Sequence, residues 1–76
     1  TAAQDLLYTT ANKKILIGEI KFKKLTRVEV LEIKHTLQEQ AKKINTQKYE
    51  EKLIIICIGC DFKDNDVEII SLENLK

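Results

Sequence analysis

The run Leu53-Ile54-Ile55-Ile56-Cys57-Ile58 decides the fold. It is too short for a free-standing helix and rich in isoleucine, so it reads as a strand apolar on both faces, the pattern of a strand inside a parallel sheet. Upstream, Val30, Ile33, Leu37, Ala41 and Ile44 recur at steps of three and four, the stripe of an amphipathic helix. Thr26 can cap its start, with Glu29 completing a capping box and Leu25 and Val30 at hydrophobic-staple spacing. Glu39 and Lys43 have the favourable order for an i,i+4 pair, and the helix is expected to end near Ile44 and Asn45. Before the helix lie two candidate strands, Asp5 to Thr9 and Lys14 to Lys23. They are joined by Thr10-Ala11-Asn12-Lys13, where Asn12 suits a left-handed conformation. After the isoleucine run come a turn at Lys63-Asp64-Asn65-Asp66 and a strand from Val67 to Ile70. Ser71 is placed to cap a last helical turn from Leu72 to Lys76.

The order β-β-α-β-β predicts an α/β fold at the α+β border: a mixed sheet with an N-terminal hairpin and a right-handed parallel crossover through the one long helix. The gap from Cys60 to Val67 is shorter than an ordinary crossover, so the last strand is expected to be antiparallel to the isoleucine strand, at an edge. One helix covers one sheet face. The other is left apolar, so the chain is expected to form a homodimer or to pack against a missing N-terminal segment.

The 76 residues are 43% hydrophobic and 33% charged, a composition for one folded domain spanning 1–76 and not for a disordered tail. With no initiator Met, the chain is expected to be the C-terminal part of something longer. The longest apolar run, Leu53 to Gly59, falls well short of the roughly 20 residues of a membrane helix. There is no basic-then-apolar leader, and two cysteines make no disulfide framework, so a cytoplasmic setting without membrane contact is expected. The net charge of +1 hides an asymmetry: residues 1–27 carry +4, residues 28–60 balance, and residues 61–76 carry −3. A basic first third could meet a polyanion, and is equally what an ordinary solvated surface carries.

The second strand is not a plain one. On a two-residue period Ile15, Ile17, Glu19 and Lys21 share one face, and Leu16, Gly18, Ile20 and Phe22 the other. If the hairpin loop is Ala11-Asn12-Lys13, Asp5 stands directly opposite Glu19, their Cβ atoms about 4.5–5.5 Å apart. Two opposed carboxylates call for a positive partner, either Lys21 or a hard divalent cation that takes carboxylate and carbonyl oxygens. A surface salt-bridge cluster is the plain structural alternative.

Asp5 followed by Glu19-Ile20-Lys21, after the run Ile15-Leu16-Ile17-Gly18 and before a helix and a buried strand, resembles the PD-(D/E)xK nuclease core. Ile17-Gly18-Glu19-Ile20-Lys21-Phe22 and the closing Val67-Glu68-Ile69-Ile70-Ser71-Leu72-Glu73-Asn74-Leu75 resemble the nuclease-like C-terminal domain of archaeal AAA-type ATPases. The resemblance implies a restriction-endonuclease-like core and hydrolysis of DNA phosphodiesters. It implies Mg²⁺ (or Mn²⁺) held by Asp5, Glu19 and the Ile20 carbonyl, with Lys21 orienting the attacking water or stabilising charge on phosphate. A module of the same fold that only docks DNA or dimerises is the alternative. Lys23, Lys24 and Arg27 would touch phosphates, and Lys34 and Gln38, one helical turn apart, would support the site or contact DNA.

Cys57 and Cys60 form a CxxC, but residues three apart on a strand point to opposite faces and only His35 could join them on a metal. Small apolar packing is the better reading against a zinc or redox role. His35 falls at the helix boundary and reads as solvated. Tyr8 and Phe22 are expected in the core.

Overall fold

The computed structural model describes the backbone of residues 5–74 and the side chains of residues 8–74. Strands β1 (Asp5–Ala11) and β2 (Lys14–Leu25) form a hairpin, helix α1 (Arg27–Ile44) follows, then β3 (Glu50–Cys60), β4 (Val67–Ser71) and a 3₁₀ turn, Leu72–Asn74. The result is an α/β fold: one four-stranded mixed sheet in the order β1-β2-β3-β4, with a single helix on one face. No helix among the described residues is long and apolar enough to cross a membrane.

The hairpin turn is shorter by one residue than the sequence suggested. Asn12 and Lys13 both take positive φ, 53° and 63°, the two-residue turn that matches strand twist. Ala11 therefore pairs with Lys14, and the register shifts: Leu6 faces Glu19 and Asp5 faces Ile20. The expected opposition of Asp5 and Glu19 is corrected by this one-residue step. The Asp5 side chain lies outside the described residues.

Thr26 caps α1 as expected. Its hydroxyl accepts from the Glu29 N–H at 3.3 Å, and the Glu29 carboxylate accepts from the Thr26 N–H at 2.9 Å. Val30, Ile33, Leu37 and Ala41 are the buried positions. At the far end Asn45 clamps the helix to β3: its side chain accepts from the Tyr49 N–H at 2.7 Å and donates to the Tyr49 carbonyl at 2.7 Å and to Glu51 at 2.9 Å. Glu39 reaches Lys42 at 3.9 Å, one residue short of the expected Lys43.

The crossover through α1 makes β2 and β3 parallel. On the covered face Ile17, Leu53, Ile55, Cys57 and Val67 pack beneath the helix. β3 alternates along its length, with Leu53, Ile55 and Cys57 buried and Ile54, Ile56 and Ile58 only half-buried. Among the described residues α1 covers one face of this strand, which is apolar on both.

β4 departs from expectation. It runs parallel to β3, Leu53 beside Val67 and Cys57 beside Ser71. The chain rises from Leu53 to Cys60 and returns from Cys60 to Val67 in the same number of residues, ending in a tight turn at Asn65 and Asp66 that an Asp64–Val67 bridge closes. A parallel pair usually spends a dozen or more residues on its crossover, which is why an antiparallel edge was the natural expectation. Phe62 in this return packs against the core. Ser71 does not cap the last turn; its hydroxyl donates to the Ile58 carbonyl at 3.2 Å. Tyr8 and Phe22, expected in the core, are 57% and 73% exposed. Tyr8 sits on the edge strand β1, and Phe22 lies where β2 shifts register against β3, between Lys21 and Lys24.

Candidate functional site

Glu19 is the odd residue of the covered face. It shares a row with Ile55, which is fully buried, and is itself 5% exposed. Its neighbours Ile15 and Ile17 on the same face are buried apolar residues. Two residues on, where the same face reaches the sheet margin, the Lys21 ammonium lies 3.1 Å from Glu19 Oε2 with its side chain 36% exposed. Burying a carboxylate costs several kcal/mol, on the order of what one good ion pair returns. The sequence period that placed both groups on one face is the reason they meet. The described β1–β2 ladder ends at the pair Asp5–Ile20, so Asp5 enters across from the residue between Glu19 and Lys21.

Beside this couple, a cleft of about 160 Å³ opens between β2 and the first turns of α1, lined by Lys21, Lys23, Leu25, Glu29, Glu32 and Ile33. Lys23 is hydrogen-bonded to the Glu29 carboxylate. That bond, joined by the Thr26 N–H, holds the Glu29 carboxyl below the usual range. Lys24 meets Glu73 at 3.1 Å, and the Arg27 guanidinium lies 5.3 Å from the centre of the Phe62 ring.

Lys34 and Gln38 do not gather at Glu19. Lys34 reaches the β3–β4 return, where its ammonium donates to both Asp64 oxygens at 3.0 and 3.1 Å and to Asp66 at 3.1 Å. Its pKa is raised, first by Asp64 and then by Asp66. The Asp64 carboxyl is lowered, first by the Asp66 backbone N–H and then by Lys34. Gln38 is half-buried in the same helix. The Asp64 to Asp66 stretch was legible only as a turn; its role as the helix's ionic anchor depends on a partner thirty residues away.

Cys57 and Cys60 are free thiols, Cys57 buried and Cys60 half-buried against the core. Burial pushes the Cys57 thiol up, which makes it a poorer nucleophile and metal ligand. His35 is exposed, as expected. Among the described residues no group of three or more His, Cys, Asp or Glu side chains is placed to hold a metal.

In donor chemistry the Glu19 carboxylate and the Ile20 carbonyl suit a hard divalent cation, while the register that pairs Asp5 with Ile20 sets it at a position of the opposite sheet face. No family model, curated protein or solved structure matches the chain.

Proposed function

We propose that this domain is a restriction-endonuclease-like module that engages DNA phosphodiesters at Glu19 and Lys21, a Mg²⁺- or Mn²⁺-dependent nuclease domain of an ATPase in the pattern that the sequence resembles. The observation that carries the reading is the Glu19–Lys21 couple, a carboxylate 5% exposed on an apolar face and joined at 3.1 Å to an amine two residues away. Glu19 and the Ile20 carbonyl would hold the cation; Asp5, expected as the second carboxylate, pairs with Ile20 and so falls at a position of the other sheet face from Glu19. Bound there, the cation would supply Lewis acidity toward a phosphoryl oxygen and acidify its water. Lys21, at the mouth of the site, would place its ammonium against a phosphate oxygen or orient the attacking water. Lys23 lies next along the same cleft and would add a phosphate contact that positions without reading sequence.

The test is a thermal melt with Mg²⁺ or Mn²⁺ titrated in. A rise in Tm that disappears in Glu19→Gln is expected, followed by nicking of supercoiled DNA that is lost in Lys21→Ala. No shift with either ion at millimolar concentration would end the metal-site reading.

A second reading, a DNA-docking module of the same fold without catalysis, rests on Lys23 and Lys24, whose side chains are 56% and 74% exposed although each also meets an acid of this chain. Salt-sensitive DNA binding with no cleavage at any Mg²⁺ or Mn²⁺ concentration is the result that selects it.

A further inference from the structure

Lys21 and Lys23 from β2 line one cleft with Glu29 and Glu32 from α1. Lys21 is already paired with the buried Glu19, and Lys23 with Glu29. With Glu19 counted, two ammoniums face three carboxylates. A phosphate entering this cleft meets net negative charge, so a carboxylate has to withdraw before the phosphate is held. The three acids differ in their ties. Glu19 is sunk in the apolar face at 5% exposure. Glu32 meets no ammonium at ion-pair distance among the described residues. Glu29 sits on the ammonium that a phosphate needs, and its side chain is 32% exposed.

We propose that Glu29 is a built-in competitor for DNA phosphate: its carboxylate holds Lys23 in the free protein, and a backbone phosphate takes its place when DNA binds. This rests on the DNA reading given above and names what regulates that site. The sequence puts Glu29 there for a local reason. It is the N3 residue of α1, and its carboxylate bridges the helix start and the strand, Oε1 accepting from the Thr26 N–H and Oε2 from Lys23. The helix does not depend on the Lys23 half of that bridge. The Glu29 N–H donates to the Thr26 hydroxyl whatever the carboxylate does, and glutamine completes a capping box as glutamate does. An exposed ion pair is weak enough for a phosphate to displace. Once displaced, Glu29 stands uncompensated and takes up a cation, which cancels one of the counterions that DNA releases on binding.

Anisotropy of a labelled duplex of about 20 base pairs, in chelator and from about 50 to about 200 mM salt, tests this on wild type, Glu29→Gln, Glu32→Gln and Glu29→Gln combined with Lys23→Ala. Glu29→Gln is expected to bind about fivefold tighter at low salt, with a plot of log K against log salt steeper by about one. Glu32→Gln removes the same charge from the same cleft and leaves the Lys23 bond, so it should tighten binding by about twofold or less, at an unchanged slope. Lys23→Ala should erase the gain in the combined variant. Circular dichroism of Glu29→Gln should match wild type, because the cap is kept.

Equal gains in Glu29→Gln and Glu32→Gln would reduce the effect to general repulsion and overturn the proposal. A gain that survives Lys23→Ala would do the same. DNA bound by wild type with no gain in Glu29→Gln overturns the proposal and leaves the DNA reading standing. No binding by any of these proteins overturns the DNA reading, and the proposal with it.

Discussion

Two of the acid–amine couples in this small fold do different physical work. Lys34 and Asp64 are thirty residues apart in sequence, both mostly sequestered, and joined through both carboxylate oxygens. They fasten the middle of α1 to the return between β3 and β4, at the tight turn that Asp64 and Val67 close. Glu19 and Lys21 are two residues apart on one strand. Their bond constrains nothing that β2 does not already fix, yet it keeps a carboxylate among buried isoleucines. The fold explains the first couple. It does not explain the second, and an unexplained buried charge is where a site is sought.

The largest effect is expected from breaking the first couple. Asp64→Ala should lower Tm more than any other charge substitution here, because Lys34 is left half-sequestered with only the exposed Asp66. The turn at Asp64–Asp66 should then exchange its amides faster than β3 does. The pH profile follows from the same contacts. The folded-state pKa of Asp64 is depressed, so its contribution is present above the ordinary aspartate range near 4 and is lost as pH falls through the lower folded value. The folded-state pKa of Lys34 is raised, so its contribution is complete below about 10.4 and is lost as pH climbs through the higher folded value. Asp64→Asn should flatten the acid limb of a Tm-against-pH curve. An unchanged acid limb would show that the couple is ornamental.

The second couple should respond in the opposite sense. Glu19→Leu replaces a buried carboxylate by an apolar side chain of similar length and frees Lys21, whose side chain is 36% exposed, to turn to solvent, so no unpaired charge is left buried. A chemical denaturation midpoint above wild type is expected, together with loss of any Mg²⁺- or Mn²⁺-induced rise in Tm. Were Glu19→Leu to unfold the domain instead, the carboxylate would be structural and the contrast between the two couples would collapse.

That contrast also marks what the sequence could and could not tell. Glu19 and Lys21 share a face by the period of two, so their meeting was legible. So was α1, because the Thr26–Glu29 box and the stripe from Val30 to Ala41 are local signals. The register of Asp5 was not: it depends on whether Ala11 belongs to the loop or to the ladder, and alanine carries no preference strong enough to decide. The direction of β4 was not, since a return this economical of residues breaks the usual rule. Lys34 with Asp64, and Lys24 with Glu73, are contacts that only the folded chain brings about. Phe22 and Tyr8 were misread because aromatic character says nothing of which face or edge will be covered.

The smallest effect should come from a third couple, which calibrates the other two. Lys24 and Glu73 meet at 3.1 Å with side chains 74% and 47% exposed. Solvent screens such a pair, and exposed pairs contribute about 0–1 kcal/mol. The Glu73 carboxylate also rests against Gly59, where a β-carbon would come within 2.3 Å of Oε2. Because that oxygen ends a flexible chain, Gly59→Ala should be absorbed by moving Glu73, at the expense of the Lys24 contact alone. Glu73→Gln and Gly59→Ala should therefore give the same near-zero change in denaturation midpoint, and the double variant no more than either single one. A large loss in Gly59→Ala that Glu73→Gln does not share would mean that backbone, not the Glu73 side chain, fills the space over Gly59.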